Sequence, residues 1–372
     1  MRKALVLVLL CLTVFSLTCG LSANAQTFQT IRINANGEVS PSTAAIQKVG
    51  NTYTLTANLS GSLIVEANNI LIDGANHTLQ GPSVNINCIA VNLTAANVTV
   101  ENMRITNWKV GVLSAWNNNT ITNNQFTNNS QGIAIYSDDN VIRQNNILNC
   151  STGIFIDGGF RTQGDNNLIT QNKITSNHAA FDVYNNNGVT ITANNIENNE
   201  VVLILATNTA KTVFYYNNFE NNGQALEIPW GGPDVEGNVP FSPAGQWDNS
   251  TVGNYWSDYT TKYPGATEID HTGIGTSSYA IESTLSYSES RSGTDITGVA
   301  VLGTAIDNHP LIAPISPSMS TGPLPTASPT VPEYPVWIIF VALLAAVCLV
   351  TLLSVKHQLK IKMGANATTH DV

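Results

Sequence analysis

The chain has 372 residues, a formal net charge of −10 and only 11% charged residues. An acidic balance of this size excludes a nucleic-acid binder, which needs a basic footprint. Charged residues make up ~25% of ordinary domains, so solubility here rests on amides and hydroxyls.

Residues 1–25 read as a secretory signal, with Arg2 and Lys3, an apolar run from Ala4 to Leu17, and Ala23-Asn24-Ala25 as a small-x-small cleavage site. Cys19 offers lipoprotein processing as an alternative, but Ser16-Leu17-Thr18 matches that pattern poorly. Residues 26–68 follow as an N-terminal strand and cap segment.

From residue 69 to 228 the chain is repetitive. One phrase recurs: an apolar residue, two variable residues, an asparagine, one more residue and a second apolar residue. Its copies are Ile121-Asn124-Phe126, Ile142-Asn145-Ile147, Ile169-Asn172-Ile174, Ile191-Asn194-Ile196 and Phe214-Asn217-Phe219. The asparagines advance in steps of 21, 27, 22 and 23 residues, so one repeat is one structural coil. Apolar and polar residues alternate within it, as in Gly188-Val189-Thr190-Ile191-Thr192, which is the period of strands rather than helices. Three short strands per coil, stacked at about 4.8 Å, give an all-β fold: a single-stranded right-handed parallel β-helix of about eight coils.

Asparagine suits the recurring position in two ways. It tolerates positive φ in a turn, and coils in register let each carboxamide donate to the next, forming an internal ladder over Asn124, Asn145, Asn172, Asn194 and Asn217. The equivalent positions of the first two coils hold Ala75 and Met103. Small residues open the stretches Cys88-Ile89-Ala90-Val91, Gly111-Val112-Leu113, Gly132-Ile133-Ala134-Ile135, Gly153-Ile154-Phe155-Ile156, Ala180-Phe181-Asp182-Val183 and Ala225-Leu226-Glu227-Ile228. The step of 27 carries the loop from Asp157 to Asp165, the place where a solenoid commonly adds function.

Residues 229–312 form a closing segment. Residues 313–335 are a stalk rich in proline, serine and threonine, and 336–355 form an uncharged apolar run long enough for one transmembrane helix. Lys356, Lys360 and Lys362 follow in the tail 356–372, so the tail is expected in the cytoplasm and everything before the span outside. Outside placement makes Asn58, Asn76, Asn92, Asn97, Asn118, Asn128, Asn149 and Asn249 candidate glycosylation sites, although a chain rich in Asn and Thr generates such sequons by chance. Cys88 and Cys150 are expected unpaired and largely buried, two coils apart and beyond disulfide reach.

Three stretches resemble the NosD-like family of parallel β-helix proteins, in particular surface members from archaea: Asn69-Ile70-Leu71-Ile72-Asp73-Gly74 with His77-Thr78-Leu79-Gln80-Gly81, the five repeats, and Gly253-Asn254-Tyr255-Trp256-Ser257-Asp258-Tyr259 with Asp307-Asn308-His309-Pro310-Leu311. The family is named for a periplasmic protein associated with copper insertion into nitrous oxide reductase, and shares its repeats with carbohydrate-binding proteins and sugar hydrolases. The resemblance therefore implies a β-helix outside the cytoplasm with copper or sugar as candidate ligands.

The residues weigh against a metal. His77, His178, His271 and His309 are scattered, Met103 and Met319 are far apart in sequence, and copper needs clustered imidazole, thiolate or thioether. Glu268-Ile269-Asp270-His271-Thr272 offers too few carboxylates for Ca²⁺. Neither copper nor calcium is expected.

Polysaccharide cleavage would need two carboxyls about 5–10 Å apart. Asp138, Asp139, Asp157 and Asp182 lie on successive coils but at different offsets, so they are not expected to form one column. Trp116, Tyr136 and Tyr184 fall at similar offsets and are candidates for stacking on sugars. The expected role is non-enzymatic glycan binding or an envelope or adhesion role. The alternatives are a polysaccharide lyase or glycoside hydrolase on the outward face, and an accessory factor in copper delivery.

Overall fold

The computed structural model describes residues 28–158, 166–184, 188–205, 212–228, 245–291 and 294–316. The signal, nearly all of the stalk, the apolar run 336–355 and the body of the long loop, 159–165, lie outside the described residues. Among those described, no helix is long and apolar enough to cross a membrane.

The chain winds into a parallel β-helix. From Ile70 to Ile228 it makes seven complete turns, each giving one strand to each of three sheets. The fourth turn shows the pattern: Val141–Arg143 in the second sheet, Asn146–Leu148 in the third, Thr152–Asp157 in the first. An incomplete turn precedes the seven, with Thr52–Leu55, the Leu59–Leu79 bridge and Leu63–Val65. Another follows, with Gln246 bridged to Val213, Tyr255–Trp256 paired with Asn218–Phe219, and Tyr279–Arg291.

Identical phrases stack because strand pairing aligns the same phrase position in every coil, whatever the length of the step between them. Ile121 pairs with Ile142, Ile142 with Ile169 and Ile169 with Ile191, and all are fully buried. Phe126, Ile147, Ile174 and Ile196 do the same on the third sheet. Each such side chain contributes about 1.5–3 kcal/mol by burial. The small column runs Ala90, Gly111, Gly132, Gly153 and Ala180, so Ala90 rather than Cys88 holds the small position in the first of these strands, Ile89–Leu93. At Gly153 a Cβ would lie 2.7 Å from the Ala180 carbonyl oxygen and 3.1 Å from Ile174 Cγ2, so facing core residues leave no room there.

The asparagine ladder is present and longer than the repeat phrase implied. Asn124 Nδ2 donates to Asn145 Oδ1 (3.2 Å), Asn145 to Asn172 (3.0 Å), Asn172 to Asn194 (3.0 Å), Asn194 to Asn217 (2.9 Å), and Asn217 to Asn254 (2.9 Å). Asn254 belongs to the Gly253–Tyr259 motif, so the closing segment is itself a rung. Two further ladders occupy the other corners: Asn119, Asn140 and Asn167, and Asn129, Asn177, Asn199 and Asn222.

The reason for asparagine needs one correction. The ladder residues do not carry the positive φ; the residue before each does. Asn123, Gln144, Gln171, Ala193 and Tyr216 have φ of 54°, 55°, 57°, 55° and 55°. Asparagine is required at the ladder position for its side chain, whose oxygen accepts a backbone N–H of the preceding coil, while the left-handed residue is free to vary.

The cysteines also differ from expectation. Cys88 and Cys150 are both free, but three rungs separate their positions, and Cys88 is half-buried. Cys150 stands where the third-corner ladder calls for asparagine, with its own N–H donated to Asn177 Oδ1 (2.8 Å).

Aromatic rings close the C-terminal end. Phe214 stacks on Trp247 (4.4 Å), Phe219 on Trp256 (4.4 Å) and Trp256 on Tyr279 (4.3 Å). Beside them the buried Asp307 carboxylate accepts the Asn254 N–H (2.8 Å), the Trp256 indole N–H (3.0 Å) and the His309 N–H (3.1 Å). This joins the two ends of the closing segment, and a Cβ at Gly253 would collide with that carboxylate. Within the closing segment, Tyr279–Arg291 and Thr294–Asp307 form an antiparallel hairpin, whose first strand pairs with Leu226–Ile228 of the first sheet.

Candidate functional site

Inward positions are filled by core and ladder, so a ligand must meet outward side chains. On the first sheet the alternation along Gly153-Ile154-Phe155-Ile156-Asp157 sends Ile154 and Ile156 inward and leaves Phe155 and Asp157 outward. Register then builds a small checkerboard. Ala134, Phe155 and Asp182 form one outward column, and Asp157 pairs with Tyr184 in the next. Tyr136 follows Ile135, the partner of Ile156, and so stands level with Asp157.

The rings make a continuous row. Tyr136 and Phe155 have centroids 5.6 Å apart with planes tilted by 43°, and Phe155 and Tyr184 are 5.6 Å apart at 35°. Tyr136 is 47% exposed and the other two are half-buried. Tyr136 and Tyr184 are two rungs apart, roughly 10 Å along the stack. Phe155 is absent from the stacking candidates expected from sequence, where it figured only within the stretch Gly153-Ile154-Phe155-Ile156. The outward place of its column, between inward Ile154 and Ile156, was the available signal.

The row is electrostatically marked. Burial pushes the Tyr136 phenol above its ordinary value, with the Asp157 charge adding to it. Burial does the same at Tyr184, reinforced by the charge of Asp182, by a hydrogen bond to that carboxylate and by Asp157. Both phenols therefore stay protonated at neutral pH and can act as donors.

Other candidates are placed apart. Trp116, 55% exposed, lies in the turn after the first-sheet strand Val110–Ser114 and makes no ring contact among the described residues. Its carbonyl accepts Asn119 Nδ2 (2.7 Å) and the Ser137 hydroxyl (2.8 Å). Asp138 and Asp139 occupy the turn one coil on, where the Asp138 N–H donates to Asn117 Oδ1 (3.1 Å) and Asp139 has φ 59°. Asp157 and Asp182 are one rung and two residues apart, about 8 Å between Cα atoms. The four aspartates thus divide between a turn and the sheet face.

Seven sequon asparagines, Asn58, Asn76, Asn97, Asn118, Asn128, Asn149 and Asn249, are exposed, and Asn92 is half-buried in a strand. Asn97, Asn118, Asn128 and Asn149 all hold left-handed turn positions. Their frequency follows from turn grammar: a left-handed Asn, an inward residue, then an outward Ser or Thr spells a sequon.

For metals, among the described residues no three His, Cys, Asp or Glu side chains gather closely enough to hold an ion. His178 faces Glu200 (2.7 Å) and His309 faces Asp248 (3.4 Å), on separate parts of the molecule. Met103 is buried in the core, and burial pushes the Cys150 thiol up to about 11. Glu268 Oε1 accepts the Gly273 N–H (2.7 Å) within its own turn.

Residues 36–261 match the family described as periplasmic copper-binding protein (NosD). None of the curated proteins matches the chain significantly. Copper, named in the family description, does not fit the described donor set, in which the soft ligands are buried or solitary.

Proposed function

This chain belongs to the NosD family, and we propose that it is a cell-surface protein that binds glycans on the outer face of its first sheet without cleaving them. One observation carries the reading: the row Tyr136, Phe155 and Tyr184, held by coil register on a rigid sheet. Aromatic faces stack on the apolar faces of sugar rings, and neighbouring carboxylates and phenols meet their hydroxyls. A row parallel to the solenoid axis suits a chain of sugars laid along it. The stalk and the apolar run at 336–355 would hold this face outside the cell, with the tail in the cytoplasm.

The separation of Asp157 and Asp182 favours a second reading, hydrolysis or lysis of the bound chain. Against it, Asp182 is engaged by the Tyr184 hydroxyl of its own strand. A glycan array together with a reducing-sugar and unsaturated-product assay on the full-length protein separates the two. Retention of glycans without product is expected; product release that disappears in Asp157→Ala would make the protein an enzyme.

A further inference from the structure

Two of the exposed sequons are stacked on neighbouring coils. Asn128, in Asn128-Asn129-Ser130, and Asn149, in Asn149-Cys150-Ser151, hold the same turn position, with φ 56° and 54°. Their backbones are in register, since the Asn128 N–H donates to the Leu148 carbonyl and the following serines continue the stack. Asn149 Nδ2 donates to Asn128 Oδ1 at 2.6 Å. The nitrogen of Asn149 thus donates to its neighbour, whereas Asn128 Nδ2 makes no such bond among the described residues. Beside the pair runs an open groove of about 550 Å³, lined by Pro82, Ser83, Val84, Asn107, Ser130 and Ser151 among others.

From this geometry we propose that Asn128 is an N-glycosylation site of this protein and that Asn149 is held unmodified by it. The carboxamide nitrogen of Asn128 attacks the anomeric carbon of a polyprenyl-phosphate-linked or polyprenyl-diphosphate-linked oligosaccharide. The nitrogen–carbon bond forms, the bond from that carbon to the phosphate oxygen breaks, and the amide proton leaves to the released phosphate. The first sugars enter the groove, where carboxamides and hydroxyls meet their hydroxyl groups. A second glycan one rung away, about 4.8 Å along the stack, would compete for the same space. The same logic separates another pair: Asn97 Nδ2 donates to Asn69 Oδ1 (2.7 Å), so Asn97 is the blocked member beside Asn118.

The test is glycopeptide mass spectrometry on the full-length protein, isolated from cells that N-glycosylate their surface proteins. Asn128 is expected to be occupied and Asn149 bare in the same molecules. The variant Asn128→Gly, which suits the left-handed φ, removes the acceptor oxygen and frees Asn149, so occupancy should move to Asn149. The proposal is overturned by Asn149 occupied alongside or instead of Asn128, by neither being modified, or by Asn149 staying bare in Asn128→Gly.

Discussion

Asn145 gives two hydrogen bonds to a single atom of the next coil: its backbone N–H and its side-chain Nδ2 both reach Asn172 Oδ1 at 3.0 Å. Asn145 Oδ1 in turn receives both donors of Asn124, at 3.0 and 3.2 Å. Each rung satisfies backbone groups that the turn would otherwise bury unpaired, at about 1–3 kcal/mol apiece.

Asn145→Ala should therefore cost several such groups at once, on the order of 3–5 kcal/mol. The measurement is chemical denaturation followed by circular dichroism, with hydrogen exchange to show whether the loss centres on the coils holding Asn124, Asn145 and Asn172. A change below about 0.5 kcal/mol would mean that the ladder is ornamental.

Cys150 interrupts the third-corner ladder, so Cys150→Asn should restore a rung between Asn129 and Asn177. A gain of about 1 kcal/mol is expected, the typical worth of a buried hydrogen bond. The native thiol, pushed up to about 11 by burial, should resist thiol reagents at pH 8 until the protein unfolds, with half-buried Cys88 reacting first.

Asp307 gives the closing segment a pH dependence. Its carboxyl titrates at about 6 in the folded chain, raised by burial despite the N–H groups that lower it, against an ordinary value of 3.8. Between pH 4 and 6 the folded state holds the extra proton, so stability falls as pH rises through that window, by at most about 3 kcal/mol. Melting temperatures measured from pH 4 to 7 should decline from this group and flatten in Asp307→Asn.

What the sequence made legible was whatever repeats at coil spacing. The phrase Ile121-x-x-Asn124-x-Phe126 revealed strands, core and one ladder, because a single corner kept Asn five times running. The other two corners were missed because Cys150 breaks one of them and the other spans only Asn119, Asn140 and Asn167. Phe155 escaped because an aromatic among aliphatics reads as core unless the strand's inward face is already known. The link from Asp307 to Asn254 and Trp256 crosses about 50 residues with no local pattern to announce it. Trp116 stands one residue further from Gly111 than Tyr136 does from Gly132 or Tyr184 from Ala180, and that single residue carries it past the end of the strand at Ser114 into the turn.

The ring row Tyr136, Phe155 and Tyr184 on the first sheet is proposed as the glycan surface. The most direct measurement compares full-length protein with the double variant Tyr136→Ala/Tyr184→Ala on the same glycan array, with melting temperature as the control for folding. The native chain should retain linear glycans, and the variant should lose at least about tenfold in affinity, about 1.4 kcal/mol, at an unchanged melting temperature. Equal binding by the two proteins, or no glycan retained by the native chain, would contradict it.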